Sequence, residues 1–175
     1  MFFCDERHVP LDIAESTYNL YNAEWFKKID FPDENVFKIN PDVTVDEAAE
    51  DYIAKIRTVF PGDAIPSLDF VLLGMGPDGH TCSLFPGHPG LEETSKLVIP
   101  IPDSPKPPPR RITLTFPVLN AAKQVYFIVT GRSKVDTIKE ILETDSPLPA
   151  AQVHPISGEL HWLLDKEAAD KLTNK

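Results

Sequence analysis

The sequence predicts an α/β sandwich of three layers about a mainly parallel sheet. Three observations lead there. Short apolar runs alternate with amphipathic stretches along the chain, the order in which strands and helices take turns. The segment 68–73, apolar through Phe70, Val71, Leu72 and Leu73, has the pattern of a strand covered on both faces in a parallel sheet. With 175 residues, 42% hydrophobic and 25% charged, the chain can bury a sizeable core as one domain, residues 1–175.

Taken in order, Phe2, Phe3 and Cys4 read as a strand end. A helix is expected over 14–29, where Tyr18, Tyr21, Trp25 and Ile29 fall on one face at steps of three and four. A short strand follows at 35–39. Thr44 opens a second helix with Glu47 placed three residues on for a capping box, and Ala49, Tyr52, Ile53, Ile56, Val59 and Phe60 give it an apolar stripe. After the strand at 68–73, Thr81 begins a helical turn, and 96–101 is a strand. The stretch "PDSPKPPPRR" is stiff and extended, because proline fixes its own φ and restricts the residue before it. Residues 112–115 form a strand, and Pro117 suits the first turn of a short helix. Residues 124–130 form another strand, turned by Gly131, with Ser133 as cap of a helix carrying Val135, Ile138, Ile141 and Leu142. A last strand spans 160–164, and Asp165 caps a terminal helix.

The formal charge of −10 argues against a nucleic-acid binder, whose footprint is a basic face. It leaves room for a small anionic ligand, since a few cations in one cleft can outweigh the global sign. No segment approaches the length of an apolar membrane span, and no secretory leader pattern opens the chain, so no membrane partner is expected. The two cysteines, Cys4 and Cys82, are far apart in sequence, which reads as reduced and buried. The expected compartment is the cytoplasm.

In open α/β sheets, ligands bind at the carboxyl ends of strands. Four such places carry polar residues: Asp5-Glu6-Arg7, the loop from Gly74 to His80, the approach Arg110-Arg111, and the turn from Gly131 to Lys134. The loop in "LLGMGPDGHTCSLFPGH" is the sharpest. Its glycines let the backbone approach a ligand, His80 suits a general base at neutral pH, and Asp78 can orient it or meet a sugar hydroxyl. The plainer reading is a strand-to-helix turn with a capping acid. Gly74, Gly76 and Gly79 do match G-x-G-x-x-G, but the acids about 20 residues on, Glu92 and Glu93, fall in a loop, unlike a dinucleotide site. Lys134, in a helix's first turn, opposes the helix dipole, which suits anion binding or a solvated surface lysine. Arg111, held by prolines, suits a phosphate clamp or the guarding of an edge strand. Arg7 follows two acids, so a local salt bridge is its plain reading. His80, Cys82 and His88 match no standard zinc spacing, and no metal site is expected. There is no G-x-S-x-G elbow of a serine hydrolase.

Together these stretches resemble the 6-phosphogluconolactonase family. The matching pieces are "FFCDERHVPLDIAESTYNLY", "LLGMGPDGHTCSLFPGH", "PPPRRITLTFPVLNAAKQVYFIVTG", the "SK" after it, and "LHWLLDKEAAD", in order along nearly the whole chain. The resemblance implies a Rossmann-like fold and hydrolysis of 6-phospho-D-glucono-1,5-lactone in the pentose phosphate pathway, without metal or organic cofactor. By it, His80 activates the attacking water and later helps protonate the leaving ring oxygen. Asp78 and Gly79 line the sugar, Arg7, Arg111 and Lys134 supply positive charge for phosphate and oxyanion, and Asp5 holds that cluster. The partner implied is a small phosphorylated sugar lactone.

Members of the family carry an upstream strand and a Gly/Ser-rich phosphate loop before the Asp-Glu-Arg strand, so this chain is expected to be an N-terminally truncated, C-terminal portion of the family domain. Two alternatives go with the resemblance. One is a non-catalytic relative that binds or regulates. The other is a glucosamine-6-phosphate deaminase or isomerase, which shares the Asp-Gly-His loop but carries a Glu where this chain has Phe85.

Overall fold

The computed structural model describes residues 1–173. The chain divides into two compact units, Met1–Ala64 with Leu97–Leu114, and Ile65–Lys96 with Thr115–Lys175. The α/β class holds in both, with six strands and four α-helices among the described residues. Parallel strand pairs lie in the second unit, and the first has, among the described residues, an isolated parallel bridge between Phe2 and Phe37. The strands of the first are antiparallel.

In the first unit, β1 (Asp5–Arg7), β3 (Val98–Ile101) and β4 (Arg111–Leu114) form a sheet in the order β1-β4-β3. β1 starts later than the Phe2-Phe3-Cys4 strand end expected from sequence. The reason is local. The Phe3 amide donates to the Tyr52 hydroxyl at 2.7 Å rather than to a neighbouring strand. Phe2 instead makes a lone bridge to Phe37, the two rings stacked 4.2 Å apart. The expected strand at 35–39 reduces to that bridge, because Tyr52 also donates to the Phe37 carbonyl at 3.1 Å.

Helix α1 (Thr17–Glu24) is shorter than the 14–29 expected. Its start is set by Ser16, whose hydroxyl accepts from the Asn19 amide, and by Glu6, whose buried carboxylate accepts from the Thr17 and Tyr18 amides. It ends at Trp25, and a 3₁₀ turn, Phe26–Lys28, takes over. That change of pitch buries Phe26 with Phe3 and Val36 and leaves Trp25 and Ile29 exposed, contrary to the expected stripe. Helix α2 (Val45–Val59) forms as predicted, with the Thr44–Glu47 capping box complete. Ala49, Tyr52 and Ile56 are buried, and Val59 at the last turn is exposed.

In the second unit, β2 (Val71–Leu73), β5 (Gln124–Val129) and β6 (Glu159–Leu164) run parallel in the order β2-β5-β6, with Leu73 opposite Phe127 and Phe127 opposite Trp162. Two helices belong to this unit, α3 (Phe116–Asn120), with Pro117 in its first turn, and α4 (Val135–Glu143). Alternate strand residues Val71, Leu73, Val125, Phe127 and Val129 are buried on one sheet face. The helix expected after Asp165 is a series of turns among the described residues. Asp165 still caps it, accepting from the Ala168 amide at 2.8 Å and, with its other oxygen, from the Gly131 amide at 2.9 Å.

Candidate active site

Strand β2 ends at Leu73, and the loop that follows turns back on itself. The Gly79 amide donates to the Gly76 carbonyl and the Gly76 amide to the His80 carbonyl, which closes the loop around residues 76–80. Gly79 has φ +78, a conformation that favours glycine, and a Cβ there would stand 2.8 Å from Leu148 Cδ1. Three further bonds brace the loop. Thr81 Oγ1 donates to the Gly74 carbonyl, Thr137 Oγ1 of α4 to the Pro77 carbonyl, and the Ala150 amide to the Gly79 carbonyl.

Within this frame the Asp78 carboxylate meets His80 Nδ1 at 2.6 Å. A carboxylate can only accept, so Nδ1 carries a proton, and when the ring is neutral Nε2 is its basic nitrogen. The pair needs Gly76 to have no side chain, since a Cβ there would overlap both His80 Nδ1 and Asp78 Oδ1. The Phe85 ring lies over the imidazole, centroids 4.8 Å apart and tilted by 32°.

The helix expected from Thr81 does not form. Thr81 and Leu84 instead pair across a tight turn in which Cys82 has φ +51, so no helix N-terminus stands behind His80. Pro86 and Gly87, the latter at φ +74, keep the chain from entering a helix there. Cys4 and Cys82 are both free thiols, and each is half-buried rather than buried.

Lys134 is the last residue of a 3₁₀ turn, Arg132–Lys134, immediately before α4. Its ammonium makes no hydrogen bond or ion pair with any described residue. Ser133 does not cap α4 with its side chain, contrary to expectation. The turn is set by Gly131 at φ +90, held through its amide by Asp165. Lys134 thus leads into the helix whose Thr137 holds Pro77.

Asp5, Arg7 and Arg111 belong to the first unit. β1 and β4 pair Arg7 directly opposite Arg111 and Asp5 opposite Thr113, on one face of the sheet. β4 is the central strand, so Arg111 does not guard an edge. Only 4% exposed, its guanidinium is gripped by the proline-rich loop, donating to the carbonyls of Lys106, Pro107 and Pro108. Asp5 Oδ2 lies 4.0 Å from its Nη1. Burial first, and the Arg7 charge second, push the Arg111 guanidinium below its ordinary value, with Asp5 opposing. Arg7 donates to the Glu15 carbonyl at 2.9 Å. The local salt bridge read for Arg7 is not what engages Glu6. That carboxylate is given to the amides of Arg7, Thr17 and Tyr18. Burial pushes Glu6 upward against those bonds. Sequence reasoning missed Glu6 as the residue that fastens α1 behind Asp5 and Arg7. The signal available was an acid flanked by two polar neighbours at strand alternation, which places it on the opposite, inner face.

Among the described residues, no group of three or more His, Cys, Asp or Glu side chains is placed to hold a metal ion. Nor is any helix long and apolar enough to cross a membrane.

The family described as glucosamine-6-phosphate isomerases/6-phosphogluconolactonase matches residues 1–162. Human 6-phosphogluconolactonase is 57% identical over 173 residues, covering 98% of this chain and 67% of the human protein. A probable 6-phosphogluconolactonase of Drosophila melanogaster is 45% identical over 174 residues, covering 98% of this chain and 70% of its own length. The structure of 6-phosphogluconolactonase from Trypanosoma brucei superposes with a TM-score of 0.86 at 32% identity, covering 98% of this chain and 73% of that one.

Proposed function

The chain belongs to the glucosamine-6-phosphate isomerase/6-phosphogluconolactonase family, and we propose on that premise that it hydrolyses 6-phospho-D-glucono-1,5-lactone to 6-phosphogluconate, the lactone step of the pentose phosphate pathway. The observation that carries the reading is the Asp78–His80 pair. With Nδ1–H held by the carboxylate at 2.6 Å, the imidazole has one tautomer and one basic nitrogen, Nε2.

In this reading His80 Nε2 takes a proton from water as the oxygen attacks the lactone carbonyl. The same nitrogen returns a proton to the ring oxygen as the C1–O bond breaks. A lactone is activated enough that one base, an oriented water and charge stabilisation suffice. Asp78 both fixes the tautomer and stabilises the imidazolium formed in passing. Gly79 contributes its turn, because its amide and carbonyl are engaged within the protein. Arg7 and Arg111 are assigned to anion binding. Two guanidiniums directly across a strand pair repel each other, and an anionic ligand relieves that cost. Lys134 is a third cation for phosphate or oxyanion, supported by its lack of a protein partner among the described residues. Asp5 steadies Arg111. The cytoplasm is the proposed compartment, in keeping with two free thiols.

The test is lactone hydrolysis by the purified chain, corrected for the spontaneous reaction. Turnover above background is expected, falling about 10²- to 10⁴-fold in His80→Ala. A folded chain with no turnover above background overturns the proposal, as does a His80→Ala variant that keeps full activity.

A further inference from the structure

We propose that Phe85 is a positioning residue for His80: its ring backs the imidazole and keeps Nδ1 on the Asp78 carboxylate, so that Nε2 points in one fixed direction. The inference rests on His80 being the base of the proposed reaction.

The Asp78 bond holds Nδ1, and the direction of Nε2 depends also on the rotations about Cα–Cβ and Cβ–Cγ. The Nδ1–Cε1 edge of the imidazole lies against the bare Cα of Gly76. A flat contact on the ring face restricts those rotations further. Phe85 supplies one, with its centroid 4.8 Å from that of His80 and the planes 32° apart.

Phe85 can act as a fixed wall because it is itself immobilised. It is 1% exposed, next to Leu84, which is equally buried. The turn that carries it is closed by the Leu84 amide on the Thr81 carbonyl and by the His88 amide on the Phe85 carbonyl. Thr81 in turn ties the turn to Gly74, at the start of the loop. Phe85 and Asp78 are thereby tied to one hydrogen-bonded loop, and the imidazole is in contact with both. An aromatic pair of this kind favours the aligned arrangement by up to about tenfold.

Phe85→Leu tests this. Leucine keeps the core apolar but removes the flat face. Two measurements read the result. Long-range proton–nitrogen correlation spectra of the unliganded chain report the tautomer of His80, its signals assigned by their loss in His80→Ala. The wild-type chain is expected to show one tautomer with Nδ1 protonated, and Phe85→Leu nitrogen shifts averaged between the two tautomers. Lactone kinetics are expected to show kcat lowered about tenfold with KM little changed, since Phe85 is assigned no contact with substrate. If Phe85→Leu does not fold, Phe85→Met, which is unbranched and fills irregular space, is put to the same measurements.

A variant that melts earlier but keeps a single His80 tautomer and the wild-type kcat would show that Phe85 is only core filling, and the proposal falls. It falls equally if the wild-type nitrogens already average. The spectra need no turnover. A tautomer lost with Phe85 in a chain that does not hydrolyse lactone supports the positioning role while overturning the proposed reaction. Wild-type turnover with Phe85→Leu unchanged in both readouts does the reverse.

Discussion

Gly76 has a hydrogen where any other residue would drive a methyl into His80 Nδ1 and Asp78 Oδ1. Neither neighbour can yield without breaking the 2.6 Å bond between them, since both are held by the same short loop. Gly76→Ala is therefore expected to displace the imidazole by a substantial fraction of an ångström and lower kcat about 10²-fold. Its thermal melting should stay close to that of the wild type, because the disturbance falls on two side chains rather than on the core. An active Gly76→Ala chain would remove the Asp78–His80 pair from the mechanism. Arg111 poses the complementary case, a cation whose surroundings are structural as well as functional. Its guanidinium reaches three carbonyls of the proline-rich loop from one buried position. An ammonium cannot present donors in that fork. Arg111→Lys keeps the charge, yet it is expected to cost about 2 kcal/mol, read as a lower urea midpoint at unchanged slope. Unchanged stability would mean that the carbonyl contacts contribute nothing.

The turn at residues 93–96 shows a pH effect with a definite sign. Glu93 Oε1 accepts from the Ser95 amide, the Ser95 hydroxyl and the Lys96 amide, and these bonds pull its carboxyl from 4.5 down to about 2. A depressed folded value means that the stabilisation is fully present above the unfolded value of 4.5 and is lost as pH falls from there toward 2. Glu93 is partly exposed, and solvent screens the effect to about 1 kcal/mol. Glu93→Gln should melt earlier than wild type at pH 7 and match it near pH 2. A difference independent of pH would assign the effect to shape rather than charge. This ordered turn was not visible in the sequence, and other elements show why. Strands β3, β4, β5 and β6 were legible because each is an apolar run with clear ends, and α2 because the Thr44–Glu47 box is a local signal that needs no tertiary partner. The errors fall where a distant group decided. Tyr52 takes the Phe3 amide and delays β1, and Glu6 fixes where α1 begins. Beyond Thr81, Cys82 at positive φ replaces a helix by a tight turn. The same division runs through the candidate site. His80 and Asp78 were readable two residues apart, whereas Phe85 over the imidazole and the carbonyl cradle of Arg111 exist only once the loops have folded.

Across the molecule, the distribution of apolar surface and of charge set opposing demands. One face of the β2-β5-β6 sheet is buried, but the other carries Phe70, Leu72, Ile128 and Leu163, with Leu72 47% and Ile128 49% exposed. The sequence read 68–73 as buried on both faces, and residue alternation in the strand puts Leu72 on the open one. Parallel sheets rarely leave a face to water, and contiguous apolar surface of this kind promotes association or dye binding. The net charge of −10 works the other way, since like-charged molecules repel over about 10 Å at 0.1 M salt and farther at lower salt. The chain is therefore expected to be better dispersed at low ionic strength and to associate as salt screens the repulsion. Light scattering across a salt series reads that balance. Leu72→Lys with Ile128→Lys, both on the open face, should abolish the salt-induced association and weaken binding of a hydrophobic dye. Neither residue belongs to the Asp78–His80 loop, so lactone turnover per folded molecule should persist in the double variant. Association that survives both lysines would locate the sticky surface elsewhere, with the exposed Leu20, Trp25 and Ile29 of the first unit the next to substitute.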